Sequence, residues 1–158
     1  EVRQATVKAL RGEREPIWEP TRREVGAATR AALPHMKTAG GGFVINTTSI
    51  AARNGASGGA GLYGSSKAFI ANVTRGMAKE FIPFGIRVNA VAPGVIETPF
   101  HERYSTEAQL KAQLATVPQG RLGVAEDCVG AYLFLACQSL SGYIIGQTIE
   151  VKGGMLMP

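Results

Sequence analysis

The strongest constraint this chain places on its own fold is an alternation. Three short runs rich in β-branched and apolar residues, Phe43–Thr47, Ile86–Val91 and Gln147–Val151, are bounded by glycines, and stretches with helical periodicity lie between them. Apolar runs of that length suit strands buried on both faces. From Thr21 to Met36 the residues Val25, Ala28, Ala32 and Met36 recur at helical spacing, and Lys37 with Gly40, Gly41 and Gly42 marks the stop. A Gly- and Ser-rich loop, Asn54 to Gly61, leads to a long helix over Leu62–Phe81 with Phe69, Val73, Met77 and Phe81 as its apolar stripe. Thr106–Leu114 reads as a polar helix, and Ala125–Ala136 as an apolar one with Val129, Leu133 and Ala136 inward. Strands and helices in this order predict an α/β fold of βαβ units, with a parallel sheet covered on both faces. Such a sheet holds its ligand at the carboxyl ends of its strands, which directs attention to the loops after Thr47 and Val91.

With 158 residues, 45% of them hydrophobic, the chain can bury one sizeable core. Its net charge of +5 is scattered rather than gathered into a stripe, which argues against nucleic-acid binding. No stretch approaches the ~18 apolar residues of a membrane helix, and EVRQATVKALRGEREP lacks the apolar centre of a signal peptide, so a soluble, cytoplasmic chain is expected. Residues 1–20 read as an atypical segment, a short helix or loop broken by Pro16 and Pro20. A first residue of Glu rather than Met reads as part of a longer product. Cys128 and Cys137, nine helical steps apart, would sit on opposite faces about 13 Å apart along the axis, too far to bridge. They are expected to be buried thiols of a reducing compartment.

On the long helix, Tyr63 and Lys67 stand four apart and share one face. An ammonium about 4 Å from a phenol, at an effective dielectric of about 20, supplies roughly 4 kcal/mol, enough to bring a pKa near 10 down by about 3 units. A phenol tuned this way can exchange a proton with the oxygen of a carbonyl or an alcohol at neutral pH. Spacing alone leaves the bland reading open, an ordinary amphipathic-helix surface. Ser49 strengthens the chemical one, because it follows directly on the strand ending at Thr47, where a hydroxyl can bond the same substrate oxygen. His35, in a helical last turn, reads as structural. No Cys, His, Asp or Glu cluster has metal-ligand spacing, so no metal is expected.

Taken together, Ser49, Tyr63-Gly64-Ser65-Ser66-Lys67-Ala68, Arg87 to Pro99 and the ending Gly146 to Gly154 resemble the short-chain dehydrogenase/reductase family, in the family's order and over residues 25–158. The resemblance implies a partial Rossmann-like, doubly wound parallel sheet. Residues 21–158 would form its C-terminal half, without the N-terminal dinucleotide-binding strands. It implies NAD or NADP as cofactor and a small carbonyl or secondary alcohol as substrate, of the sugar/polyol or 3-oxoacyl type. Tyr63 would be the general acid/base, Lys67 would hold the nicotinamide ribose, and Ser49 would orient the substrate oxygen. Thr47, Pro93, Gly94, Val95, Ile96 and Thr98 would line the cofactor. Phe100, His101 and Tyr104 fall where the family has a mobile lid, and His101 reads either as a solvated lid residue or as a substrate contact. A homo-oligomer, dimer or tetramer, is implied as well.

The chain also departs from the family. The only glycine before Gly26 is Gly12, so the Gly-rich turn that receives a pyrophosphate has no counterpart. No Asn precedes Asn46, and the family's catalytic Asn aligns near Thr21. The expectation is an oxidoreductase that is inactive as this fragment, against the alternative of a non-catalytic association module.

Overall fold

The computed structural model describes residues 18–56, 59–99, 101 and 105–157, and gives side-chain burial from residue 26 onward. Helix α1 spans Trp18–Thr38, strand β1 Gly42–Thr47, helix α2 Ala51–Asn54 and helix α3 Gly61–Phe81. A 3-10 turn, Ile82–Phe84, leads into strand β2 at Ile86–Pro93. Helix α4 covers Glu107–Leu114, α5 Ala125–Ala136, α6 Gln138–Ser141, and strand β3 Thr148–Val151. The three strands form one parallel sheet in the order β1-β2-β3. The alternating α/β architecture expected from the sequence is therefore present.

Strand parity assigns the two faces, because neighbouring side chains point to opposite sides. Val44, Ile86 and Val88 pack with Ala78 of α3, and Leu33, Met36, Met77, Phe81 and Ile145 close around them. Ile86 and Val88 are fully buried, each contributing about 1.5–3 kcal/mol of transfer free energy. On the opposite face, Arg87 reaches the carbonyl of Ser141 at 3.0 Å, and Asn89 donates to the carbonyl of Ile144 at 2.8 Å while accepting from the amide of Gln147 at 2.9 Å. Two side chains of β2 thereby fix α6 and the entry to β3.

Several expectations need correcting. Helix α1, described over Trp18–Thr38, runs through Pro20, so this proline does not break the chain as expected. The rest of the atypical segment, 1–17, lies outside the described residues. On α3 the buried positions are Gly64, Ser66, Ile70, Thr74 and Ala78, with Met77 and Phe81 packed beside them, whereas Phe69 is turned outward. The inward face also holds Thr74, which accepts from the Asn46 side chain at 2.9 Å, so the stripe is not made of the largest apolar side chains alone. On α5 the buried residues are Cys128 and Leu135, while Val129 and Leu133 are 49% and 65% exposed. A helix apolar on all sides offers no periodicity from which to choose a face. Cys128 is buried as expected, but Cys137 follows the end of α5 with extended backbone and is partly exposed, and both thiols are free.

Helix α4 opens on Thr106, whose hydroxyl accepts from the amide of Gln109 while the Gln109 side chain accepts from the amide of Thr106. Ahead of α5, Arg121 grips both oxygens of Asp127 at 2.7 Å, and Asp127 also accepts from the amide of Val124. Among the described residues, no helix is long and apolar enough to cross a membrane.

Candidate active site

Pairing between β1 and β2 brings the two candidate loops side by side. The amide of Thr48 donates to Val91 at 2.8 Å, and that of Ile50 to Pro93 at 2.9 Å. Pro93 and Gly94 therefore flank the turn that carries Ser49. Gly94 is required by close approach: its amide bonds Val151 at 2.8 Å, and a β-carbon there would meet Lys152 Cβ at 2.6 Å.

Helix α3 is held against this strand end by its first turn. A β-carbon on Gly64 would lie 2.9 Å from the carbonyl oxygens of both Ala51 and Gly55, so only glycine lets α2 and α3 approach so closely. The Thr48 hydroxyl donates to the carbonyl of Lys67 at 2.8 Å, a second tie. Tyr63, in that first turn, is partly exposed. Lys67 follows one turn later, its Nζ donating to the carbonyl of Thr47 at 3.1 Å and lying 5.8 Å from the centroid of the Tyr63 ring. Burial pushes the Lys67 pKa below its ordinary value, because the ammonium gives up part of its hydration.

Thr47, Tyr63 and Lys67 are thus brought together. Ser49 lies at the same strand end, 8% exposed, and its hydroxyl accepts from the amide of Ala51 at 3.2 Å, fixing the start of α2. Val95 is buried and its carbonyl accepts from Gly123, Ile96 bridges to Gly123, and the Thr98 hydroxyl bonds the carbonyl of Ile96 at 3.3 Å. His101 is partly buried, with Nδ1 2.8 Å from the Ser105 hydroxyl, and burial pushes its pKa down. Phe100 and Tyr104 lie outside the described residues.

One member of the site was not anticipated. Tyr132 of α5 places its hydroxyl 2.6 Å from that of Thr47. The available signal was a lone polar-tipped aromatic in an aliphatic helix, four residues after Cys128 and three before Leu135, hence on their inward face.

Known proteins resemble this chain in sequence and in fold. The family model described as enoyl-(acyl carrier protein) reductase matches residues 23–156. The 3-oxoacyl-[acyl-carrier-protein] reductase of Rickettsia bellii is 42% identical over 128 residues, spanning 81% of this chain and 52% of that protein. The gluconate 5-dehydrogenase of Burkholderia cenocepacia, solved with NADP and tartrate, superposes with a TM-score of 0.83 at 28% identity, covering 92% of this chain and 58% of that one. An NADH-dependent reductase, A1-R', solved with NAD, gives a TM-score of 0.73 at 36% identity, covering 87% and 52%. The chain belongs to the short-chain dehydrogenase/reductase family. It spans about half the length of the curated relatives it matches.

Proposed function

We propose that this chain carries the proton-transfer half of an NAD(P)-dependent oxidoreductase that interconverts a carbonyl and a secondary alcohol. The observation that carries the reading is the position of Lys67, bonded to the Thr47 carbonyl and standing beside the Tyr63 ring at the carboxyl end of β1. The residues present fit the ring end of a nicotinamide nucleotide. An ammonium has three donors and only one is given to Thr47, leaving two for ribose hydroxyls. Thr47, Pro93, Gly94, Val95, Ile96 and Thr98 would line the rest. When bound, the nicotinamide supplies the hydride for carbonyl reduction, or accepts it in alcohol oxidation.

The chain's own residues handle the oxygen. In reduction, the Tyr63 hydroxyl gives its proton to the substrate oxygen as negative charge develops there, and in oxidation it takes that proton back. Lys67 supplies positive charge beside Tyr63, and the Ser49 hydroxyl donates to the same substrate oxygen while a lone pair of that hydroxyl still accepts from the amide of Ala51. Sugar/polyol or 3-oxoacyl substrates are favoured by the texture of Ala51-Ala52-Arg53-Asn54-Gly55 and by the names of the relatives above. In this reading the protein is cytoplasmic and homo-oligomeric, and residues 1–158 alone turn nothing over, because no Gly-rich pyrophosphate turn lies among them.

A second reading, an association module, is supported by the exposed apolar side chains of α5, α6 and the turn after them: Val129, Leu133, Leu140 and Tyr143. Titration with NADH or NADPH followed by nucleotide fluorescence, alongside gel filtration, separates the two. Saturable binding weakened by Lys67→Ala supports the enzyme. No binding together with a defined oligomer supports the module.

A further inference from the structure

Behind the strand end, on the α3 side of the sheet, lies a groove of about 760 Å³ that Thr48 and Ser49 border at one end and that neither Tyr63 nor Lys67 lines. Its apolar wall is the alanine face of α3, Ala71 and Ala78 among others, and its opposite wall is the start of β3. Three cations line it, Arg53, Arg75 and Lys79, against a single acid, Glu150. That acid is already committed twice. Glu150 Oε1 takes Arg53 at 3.1 Å, and Oε2 takes the ammonium of Lys152, whose side chain is only 3% exposed.

Arg75 and Lys79 are left over. They stand four residues apart on one face of α3, a spacing at which like charges repel and weaken the helix. Among the described residues, neither enters an ion pair. Arg53 uses one guanidinium nitrogen on Glu150, and its side chain remains 48% exposed. The groove therefore presents unneutralised positive charge over an apolar floor, within the size range of small-molecule sites. A ligand with two or more anionic groups would satisfy the leftover donors by charge-assisted hydrogen bonds and relieve the repulsion along α3.

We infer that this groove is a second ligand site, one that takes a small polyanion, a polycarboxylate or a phosphorylated molecule, on Arg75, Lys79 and Arg53. It does not depend on the proton-transfer reading. The test is calorimetric titration of the 158-residue chain with citrate and with inorganic pyrophosphate, repeated on three variants whose folding is checked by circular dichroism. Saturable binding is expected in the parent chain and in Lys67→Ala. The double variant Arg75→Gln/Lys79→Gln should bind at least tenfold more weakly. Ala71→Glu, which keeps every cation but sets a carboxylate on the groove wall, should weaken binding as well and keeps the inference testable if the double variant does not fold. Absence of saturable binding to the parent, affinity unchanged in the folded Arg75→Gln/Lys79→Gln or Ala71→Glu variants, or loss of binding in Lys67→Ala would overturn it.

Discussion

The ammonium of Lys67 donates to the carbonyl of Thr47, so the group proposed to meet the cofactor also ties α3 to the tip of β1. Holding a cation there works against hydration. Because the folded pKa lies below the ordinary 10.5, the unfolded chain binds more protons in the window beneath that value, and this group's contribution to stability rises with pH across it. Relative to Lys67→Met, the parent chain should gain stability as pH climbs toward about 10.5. Thermal unfolding of both chains from pH 7 upward measures this, and a parent that loses ground to the variant over that range contradicts it.

Thr74 is fully buried, accepts from the Asn46 side chain at 2.9 Å and donates to the carbonyl of Ile70 at 2.8 Å. Thr74→Val keeps the shape but removes the acceptor, leaving Asn46 with an unmet donor. The expected cost in urea unfolding is about 1–3 kcal/mol, with Thr74→Ser recovering most of it. Equal loss in both variants would point to packing rather than the hydrogen bond.

Asn89, 2% exposed, joins β2 to the approach of β3 through both ends of its amide. Asn89→Leu strands the carbonyl of Ile144 and the amide of Gln147, at a cost of about 2–4 kcal/mol. Amide exchange should rise first in Thr148–Val151. Uniform exchange across the sheet would show that Asn89 does not hold β3 specifically.

How much of this was legible in the sequence depended on what the periodicity could encode. The strands were, because β1 and β2 are short runs rich in β-branched and apolar residues and glycines bound them. The pairing of Tyr63 with Lys67 was, because helical spacing alone puts both on one face. The inward face of α5 was not: its apolar residues circle the helix, and contact with the sheet chose Cys128 and Leu135. Nor was the link between Tyr132 and Thr47, or the grip of Arg53 on Glu150, since spacing along the chain carries no sign of contacts 85 or 97 residues apart.

The Arg121–Asp127 pair sets an acid limit. Two guanidinium contacts, Coulombic attraction and the amide of Val124 hold the Asp127 carboxyl well below the usual aspartate range. Its contribution is present above the ordinary aspartate pKa and is lost as pH falls below it. Asp127→Asn should flatten the acid limb of the unfolding-temperature profile while changing little near pH 7 beyond a constant offset. A variant with an unchanged acid limb would show that the exposed pair contributes nothing measurable.

The most direct test of the proton-transfer role is nucleotide-dependent carbonyl reduction. Residues 1–158 would be joined to the part of the NADP-bound gluconate 5-dehydrogenase that this chain does not cover, with and without Tyr63→Phe. The expected result is a fall in kcat of at least about 100-fold for Tyr63→Phe with nucleotide affinity nearly unchanged. Robust turnover surviving that substitution would contradict the account.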